Sequence, residues 1–238
     1  MVEQPSDGLE KGIELRDEAE RLLSDSFQLI ARSAESGDPE SVYQLARMYD
    51  AGYGCTQNWK AAFDRYSKAA AAGHREAIFS VGLMYYHGRY VDVDYASAME
   101  SFKKAADMGL PKALFNVGVM YEKGYGCDVD YAEAMRWYLR AADAGSARAM
   151  YNIGVMYSKG MGVEPDPVQQ YAWFRKAADL GHERAIHGVG YCYYKGIGVV
   201  KDDFEAMRWF QRAADMGNMG SQKMVDVLRK SIRVISIS

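Results

Sequence analysis

The chain is short of the residues that open most chemical routes. It holds 3 cysteines, 4 histidines and 5 prolines in 238 residues. Three cysteines are too few for a disulfide scaffold, and the scarcity of proline argues against a disordered linker. No apolar run approaches the roughly 18 to 20 residues that span a bilayer, so direct membrane insertion is not expected. Charge of one sign is also missing. Against 29 Lys and Arg stand 32 Asp and Glu, a net charge of −3. A nucleic-acid binder shows a basic face, so RNA or DNA is excluded as the expected partner. Residues 1–36 carry nine acids and four bases, which leaves the remainder at about +2. The opening stretch Met1 to Ser26 has neither the basic start nor the apolar centre of a signal peptide. The expected location is therefore cytoplasmic and reducing, the alternative being a secreted form whose signal has been removed.

What the chain does have is a period of 36 residues. A Lys/Arg-Ala-Ala-x-x-Gly phrase recurs as Lys68 to Gly73, Lys104 to Gly109, Arg140 to Gly145, Lys176 to Gly181 and Arg212 to Gly217, with a weaker copy from Arg32 to Gly37. A fixed period of this size marks a stacked array of small units. Within residues 110–145, Ala113, Val117, Met120 and Tyr121 fall at helical spacing, which predicts a first helix, A, over 110–123 that ends at Gly124. Asp130 opens a second helix, B, whose inner face carries Ala134, Trp137, Tyr138, Ala141 and Ala142. Asn58, Asp94, Asp166 and Asp202 hold the same entry position and are predicted N-caps. Gly82, Gly118, Gly154 and Gly190 sit in mid-helix A, where glycine costs about 1 kcal/mol against alanine. Close approach of helix B, through its alanine pairs, is the expected compensation, with Tyr and Trp side chains filling the gaps. The fold predicted is all-α, a right-handed superhelical solenoid of antiparallel helix pairs with the A helices on its concave side.

The string Ala149 to Tyr157, followed by Gly160, Gly162, Asp166 and Trp173 to Ala178, resembles the Sel-like repeat, a branch of the tetratricopeptide superfamily. The resemblance covers residues 38–217 as five repeats. It leaves 1–37 as an acidic segment with a lone B-type capping helix over 10–36, and 218–238 as a closing A-type helix over 218–230 with a short tail from Ile232. Local departures are Ala46 for the mid-helix glycine, Tyr90 for the second loop glycine, Gln170 for an alanine, and Arg65 and Ser101 for the tryptophan.

Candidate chemistry is sparse. Ser101 and Lys104 form a Ser-x-x-Lys string, which makes a β-lactam-binding or hydrolysing enzyme the competing class. Both residues hold ordinary repeat columns, however, and no companion motif follows. The Gly-x-Gly loops follow helices rather than strands, which makes them turns. The histidines show no metal-ligand spacing. Cys55 and Cys127 are equivalent loop positions two repeats apart, beyond disulfide reach. No catalytic, cofactor or metal residue is assigned.

The resemblance implies a partner-binding groove on the A helices. One column reads Tyr43, Phe79, Phe115, Tyr151 and His187; a second includes Leu83, Val119, Val155 and Tyr191; a third includes Tyr86 and Tyr194. Asn116 and Asn152 are placed to clamp an extended backbone. Lys112, Arg148 and Arg184 form a basic row where Glu40 and Glu76 stand in the first two repeats. The expected function is a non-catalytic scaffold or adaptor that binds a protein or an extended peptide, with an acidic segment or a free C-terminus as the preferred ligand. A purely architectural, self-assembling module is the third reading.

Overall fold

The computed structural model describes the backbone of residues 5–235 and the side chains of 8–230. Among these residues every regular element is a helix, in the order α1 (Pro5–Glu35), α2 (Pro39–Ala51), α3 (Trp59–Ala71), α4 (Arg75–His87), α5 (Tyr95–Asp107), α6 (Pro111–Lys123), α7 (Tyr131–Asp143), α8 (Ala147–Lys159), α9 (Pro167–Asp179), α10 (Glu183–Lys195), α11 (Asp203–Asp215) and α12 (Met219–Ile235). The chain forms two compact units, residues 1–110 and 111–238. In the first, α1 to α5 pack in sequential pairs, and in the second α6 to α12 do the same. No described helix is long and apolar enough to cross a membrane.

The helix boundaries follow from side-chain chemistry. Asn58, Asp94, Asp130, Asp166 and Asp202 each accept backbone N–H bonds from the first turn of a B helix, as their position predicts. The A helices have caps that the periodicity did not single out: Asp38, His74, Ser146 and His182 accept from the amides of Ser41, Ala77, Ala149 and Ala185. Two expectations about the ends change. Helix α1 begins at Pro5, five residues ahead of the expected capping helix, and runs for 31 residues, and α12 continues through Ile232 to Ile235. The rest of the expected tail, 236–238, lies outside the described residues.

The mid-helix glycines do mark close approach, but the group that meets them is aromatic, not the alanine pairs. A Cβ on Gly118 would sit 2.6 Å from the Tyr138 ring, and on Gly154 2.5 Å from Phe174. Gly82 meets Phe102 and Gly190 meets Phe210 in the same way. Each ring lies 20 residues beyond its glycine and is buried. At the equivalent place in the first repeat, Ala46 shares a core cluster with Tyr66. The substitution at Tyr90 has a conformational cost: it is the one non-glycine described residue with positive φ, at 68°.

All three cysteines are free. Cys192 is buried, and burial pushes its thiol up to about 12.

Candidate functional site: a basic, ring-floored pocket on α8 and α10

The first column is half core. Each of its rings rests on the aromatic that fills the space over the mid-helix glycine: Tyr43 on Tyr66 at 5.8 Å, Phe79 on Phe102 at 5.2 Å, Phe115 on Tyr138 at 5.7 Å, Tyr151 on Phe174 at 5.5 Å and His187 on Phe210 at 5.2 Å. Phe79 is buried at 5% exposure and has almost no surface to offer. Tyr43, Phe115, Tyr151 and His187 keep a half-exposed edge. His187 is further held by a 2.8 Å hydrogen bond between its Nδ1 and the Ser221 hydroxyl, and burial lowers its pKa.

The other columns divide by unit. In the first, Leu83 and Tyr86 are half-buried, and Tyr86 packs edge-on to Tyr95 at 5.5 Å. In the second, Val119 and Val155 are half-buried, Tyr191 is exposed, and Tyr194 lies beneath the Lys195 ammonium at 4.7 Å. Asn116 is half-buried; Asn152 reaches the Tyr138 hydroxyl, which donates to Glu122 at 2.7 Å.

The basic row supplies the clearest local chemistry. Lys112, Arg148 and Arg184 are all exposed. In the second unit, Arg148 and Arg184 line a pocket of about 490 Å³ with Phe115, Tyr151, Asn152 and His182. Its floor is built by stacking: the His182 ring lies 4.8 Å from the Tyr151 ring at 25°, and Tyr151 in turn lies on Phe174. His182 Nδ1 accepts the Ala185 amide at 3.3 Å, so its other nitrogen carries the proton of the neutral ring. Its pKa is lowered first by burial, then by Arg184 and Arg148. Neither guanidinium has a hydrogen-bond or ion-pair partner among the described residues.

The first unit shows the same construction with the opposite sign. His74 caps α4 through Nδ1 at 3.1 Å and stacks on Tyr43 at 4.4 Å. Its Nε2 meets the Glu40 carboxylate at 2.9 Å, and Glu76 lies 3.7 Å from Nδ1. Glu40 and Glu76 stand where Arg148 and Arg184 stand in the second unit. The first unit thus carries a carboxylate of its own against the histidine, and the second presents two unmatched cations there. Metal-ligand spacing is the wrong test for these histidines, which act as helix caps. The signal was present all the same: Asp38, His74, Ser146, His182 and Asn218 share one position of the 36-residue period, each a side-chain acceptor one residue past a glycine, with Leu110 the exception.

Ser101 and Lys104, the enzyme candidates, line a separate pocket of about 290 Å³ in the first unit. No hydrogen bond joins the two side chains in the structure.

Helix–loop–helix units with this period run across residues 39–74, 75–110, 111–146, 147–182 and 184–218, the last four of them with the glycine–aromatic packing, and each matches the family model described as Sel1 repeat. The chain belongs to the Sel1 repeat family. A Sel1 repeat protein from Oxalobacter formigenes is 30% identical, with a TM-score of 0.80, over 93% of this chain and 99% of that one. A protective antigen of uropathogenic Escherichia coli strains with an SLR fold is 35% identical at TM-score 0.80, covering 84% of this chain. This chain spans 43% of that antigen's length. An immunity protein from Pseudomonas aeruginosa shares the fold at 17% identity and TM-score 0.54, over 81% of this chain and 74% of its own. A comparison with curated proteins finds no match. The solenoid of helix pairs expected from the period is the Sel1 repeat fold, and Sel1 repeat proteins are in general protein-interaction scaffolds.

Proposed function

We propose that this Sel1 repeat protein is a non-catalytic adaptor, and that the A-helix face of its second unit takes a partner's extended peptide by a carboxylate. One observation carries the reading: Arg148 and Arg184 stand unpaired over the Tyr151–His182 floor, at the positions where the first unit places Glu40 and Glu76. A planar guanidinium pairs with a carboxylate through two parallel bonds, and two of them select an acidic side chain or a free C-terminus over a neutral chain. Asn152 and Asn116 offer donors and acceptors to the peptide backbone, while Phe115, Val119 and Val155 supply apolar contact. The stacked rings are already in place, so little ordering is required on binding.

Isothermal titration with acidic peptides that end in a free carboxylate or in an amide tests this. A library member that binds the intact chain should lose at least about tenfold in affinity to the Arg148→Glu, Arg184→Glu variant, since like charges then meet across the contact. A larger loss on amidation assigns the C-terminus; an equal affinity for both forms assigns the acidic side chains. Affinity unchanged by the double substitution would refute the site. The enzyme alternative is checked separately with a chromogenic β-lactam: turnover that Ser101→Ala abolishes would overturn the non-catalytic reading.

A further inference from the structure

Helix α1 is far longer than the surface that covers it. Helix α2 has 13 residues against the 31 of α1, and the loop that follows α2 reaches α1 at Leu23, where a Cβ on Gly54 would collide with the Leu23 carbonyl oxygen. Below that point Phe27, Ile30, Ala31 and Ala34 pack into the core of the first unit. Above it the same face runs on without cover. The stripe reads Leu9, Ile13, Arg16, Glu20, Leu23, Phe27, Ile30, Ala34, with spacings that alternate between four and three residues, which is the heptad seam of a two-helix coil. Leu9 is 68% exposed, Ile13 41% and Leu23 42%. Gly8 and Gly12 interrupt this bare stretch, and a Cβ added at either would meet no other part of the chain within 4 Å. Each costs about 1 kcal/mol against alanine, and a short helix without tertiary contacts is marginal in water. The stretch therefore needs a partner to persist as a helix.

The order of residues along the seam specifies one. It is self-complementary when reversed about the level of Glu18: Ile13 then faces Leu23 of the other chain, Arg16 faces Glu20, and the same two contacts repeat by symmetry. Glu18 itself points away from the seam. Within one chain Arg16 makes only exposed ion pairs, to Asp17 at 2.9 Å and Glu20 at 3.8 Å, so both charges are available for exchange between chains. A parallel pairing would set Arg16 against Arg16 and Glu20 against Glu20. We propose that the bare face of α1 is a homodimer seam, in which a second copy of this chain packs antiparallel across Ile13, Arg16, Glu20 and Leu23.

Sedimentation velocity on the full chain, over a range of concentrations, reads the prediction directly. The unaltered protein should show a monomer–dimer equilibrium. Arg16→Glu and Glu20→Arg, each alone, should weaken dimerisation by at least about tenfold, because two like-charge contacts replace two attractive ones. The doubly exchanged chain should dimerise again, and an equimolar mixture of the two single variants should form a heterodimer. Leu15→Ser, exposed on α1 but outside the stripe, should leave the dimer intact. A monomer at every concentration, dimerisation indifferent to either single exchange, or loss through Leu15→Ser would overturn the proposal. Circular dichroism on the same samples confirms that the substitutions leave the repeats helical.

Discussion

Replacing Gly154 with alanine pits two physical effects of opposite sign against each other. Helix propensity alone favours the change by about 1 kcal/mol, since Gly154 lies in the middle of α8. Packing opposes it. The new methyl would lie 2.5 Å and 2.7 Å from Phe174 Cδ1 and Cε1, when carbon atoms prefer about 3.5–4.0 Å. Phe174 cannot retreat freely: Tyr151 is stacked on its face at 5.5 Å, and Gly188 closes its other edge, where a Cβ would come within 3.0 Å. Overpacking of a held ring costs about 1–3 kcal/mol, and the confinement on both sides places this case at the upper end. The net expectation is a loss of about 1–2 kcal/mol, or several degrees in thermal midpoint for a chain of this length. Thermal and urea unfolding followed by circular dichroism measures it, and amide exchange should localise the loss to α8 and α9. The double variant Gly154→Ala, Phe174→Leu should show favourable coupling relative to the sum of the singles, since the smaller side chain admits the methyl. If Gly154→Ala instead raises stability by about 1 kcal/mol, propensity governs, and the glycine column has no packing role.

Two further outcomes follow from backbone and ionisation. Tyr90→Gly should raise stability by about 1 kcal/mol in the same unfolding assays, because it removes the cost of a left-handed tyrosine, less the tilted ring contact with Phe63 at 5.7 Å; a clear loss would mean that this contact outweighs the strain. His182 and His187 both have folded-state pKa values below the ordinary histidine value. Below about pH 6.5 the unfolded chain takes up protons that the folded chain resists, so stability is full above that value and declines as the pH falls past it. His182→Ser, the residue that caps the preceding A helix as Ser146, should keep the cap and flatten the acid-side decline in urea midpoints; an identical pH profile in that variant would show that His182 does not carry the effect.

The repeat grammar was legible in the chain because its controls are local. A capping carboxylate acts on amides two or three residues away, so Asp94 or Asp202 can be recognised without any tertiary knowledge. The site was less legible because its decisive facts are relations across 20 to 36 residues. Tyr151 reads the same in sequence whether it faces solvent or lies on Phe174, and Phe79 belonged to a groove column by register although its ring is buried. The alanine pairs were an understandable misreading of what meets the glycines: they share the inner face of helix B with the aromatic that does so. The basic row was visible as a change from Glu40 and Glu76 to Lys112, Arg148 and Arg184. That it overlies a histidine became visible only when the ring stack brought residues 31 apart into contact. A helix from residue 10 to 36 was legible at the start of the chain, but its uncovered upper face was not, because that stretch lacks the repeat's alanine–glycine phrase and only the alternating four-and-three spacing continues there.

The glycine–aromatic contact and the tyrosine–histidine stack do different jobs in the array. Gly154 and Phe174 join α8 to α9 within one helix pair, whereas Tyr151 on α8 stacks on His182, the residue that caps α10 of the next pair. The first is a lock within a link; the second is a joint between links. In a chain of nearest-neighbour units, opening begins where a joint yields. An anion held between Arg148 on α8 and Arg184 on α10 would bridge that joint as a staple. Occupancy of a pocket only two side chains wide would then register as slower amide exchange throughout α10 to α12, so that a local contact is reported by the stiffness of everything downstream.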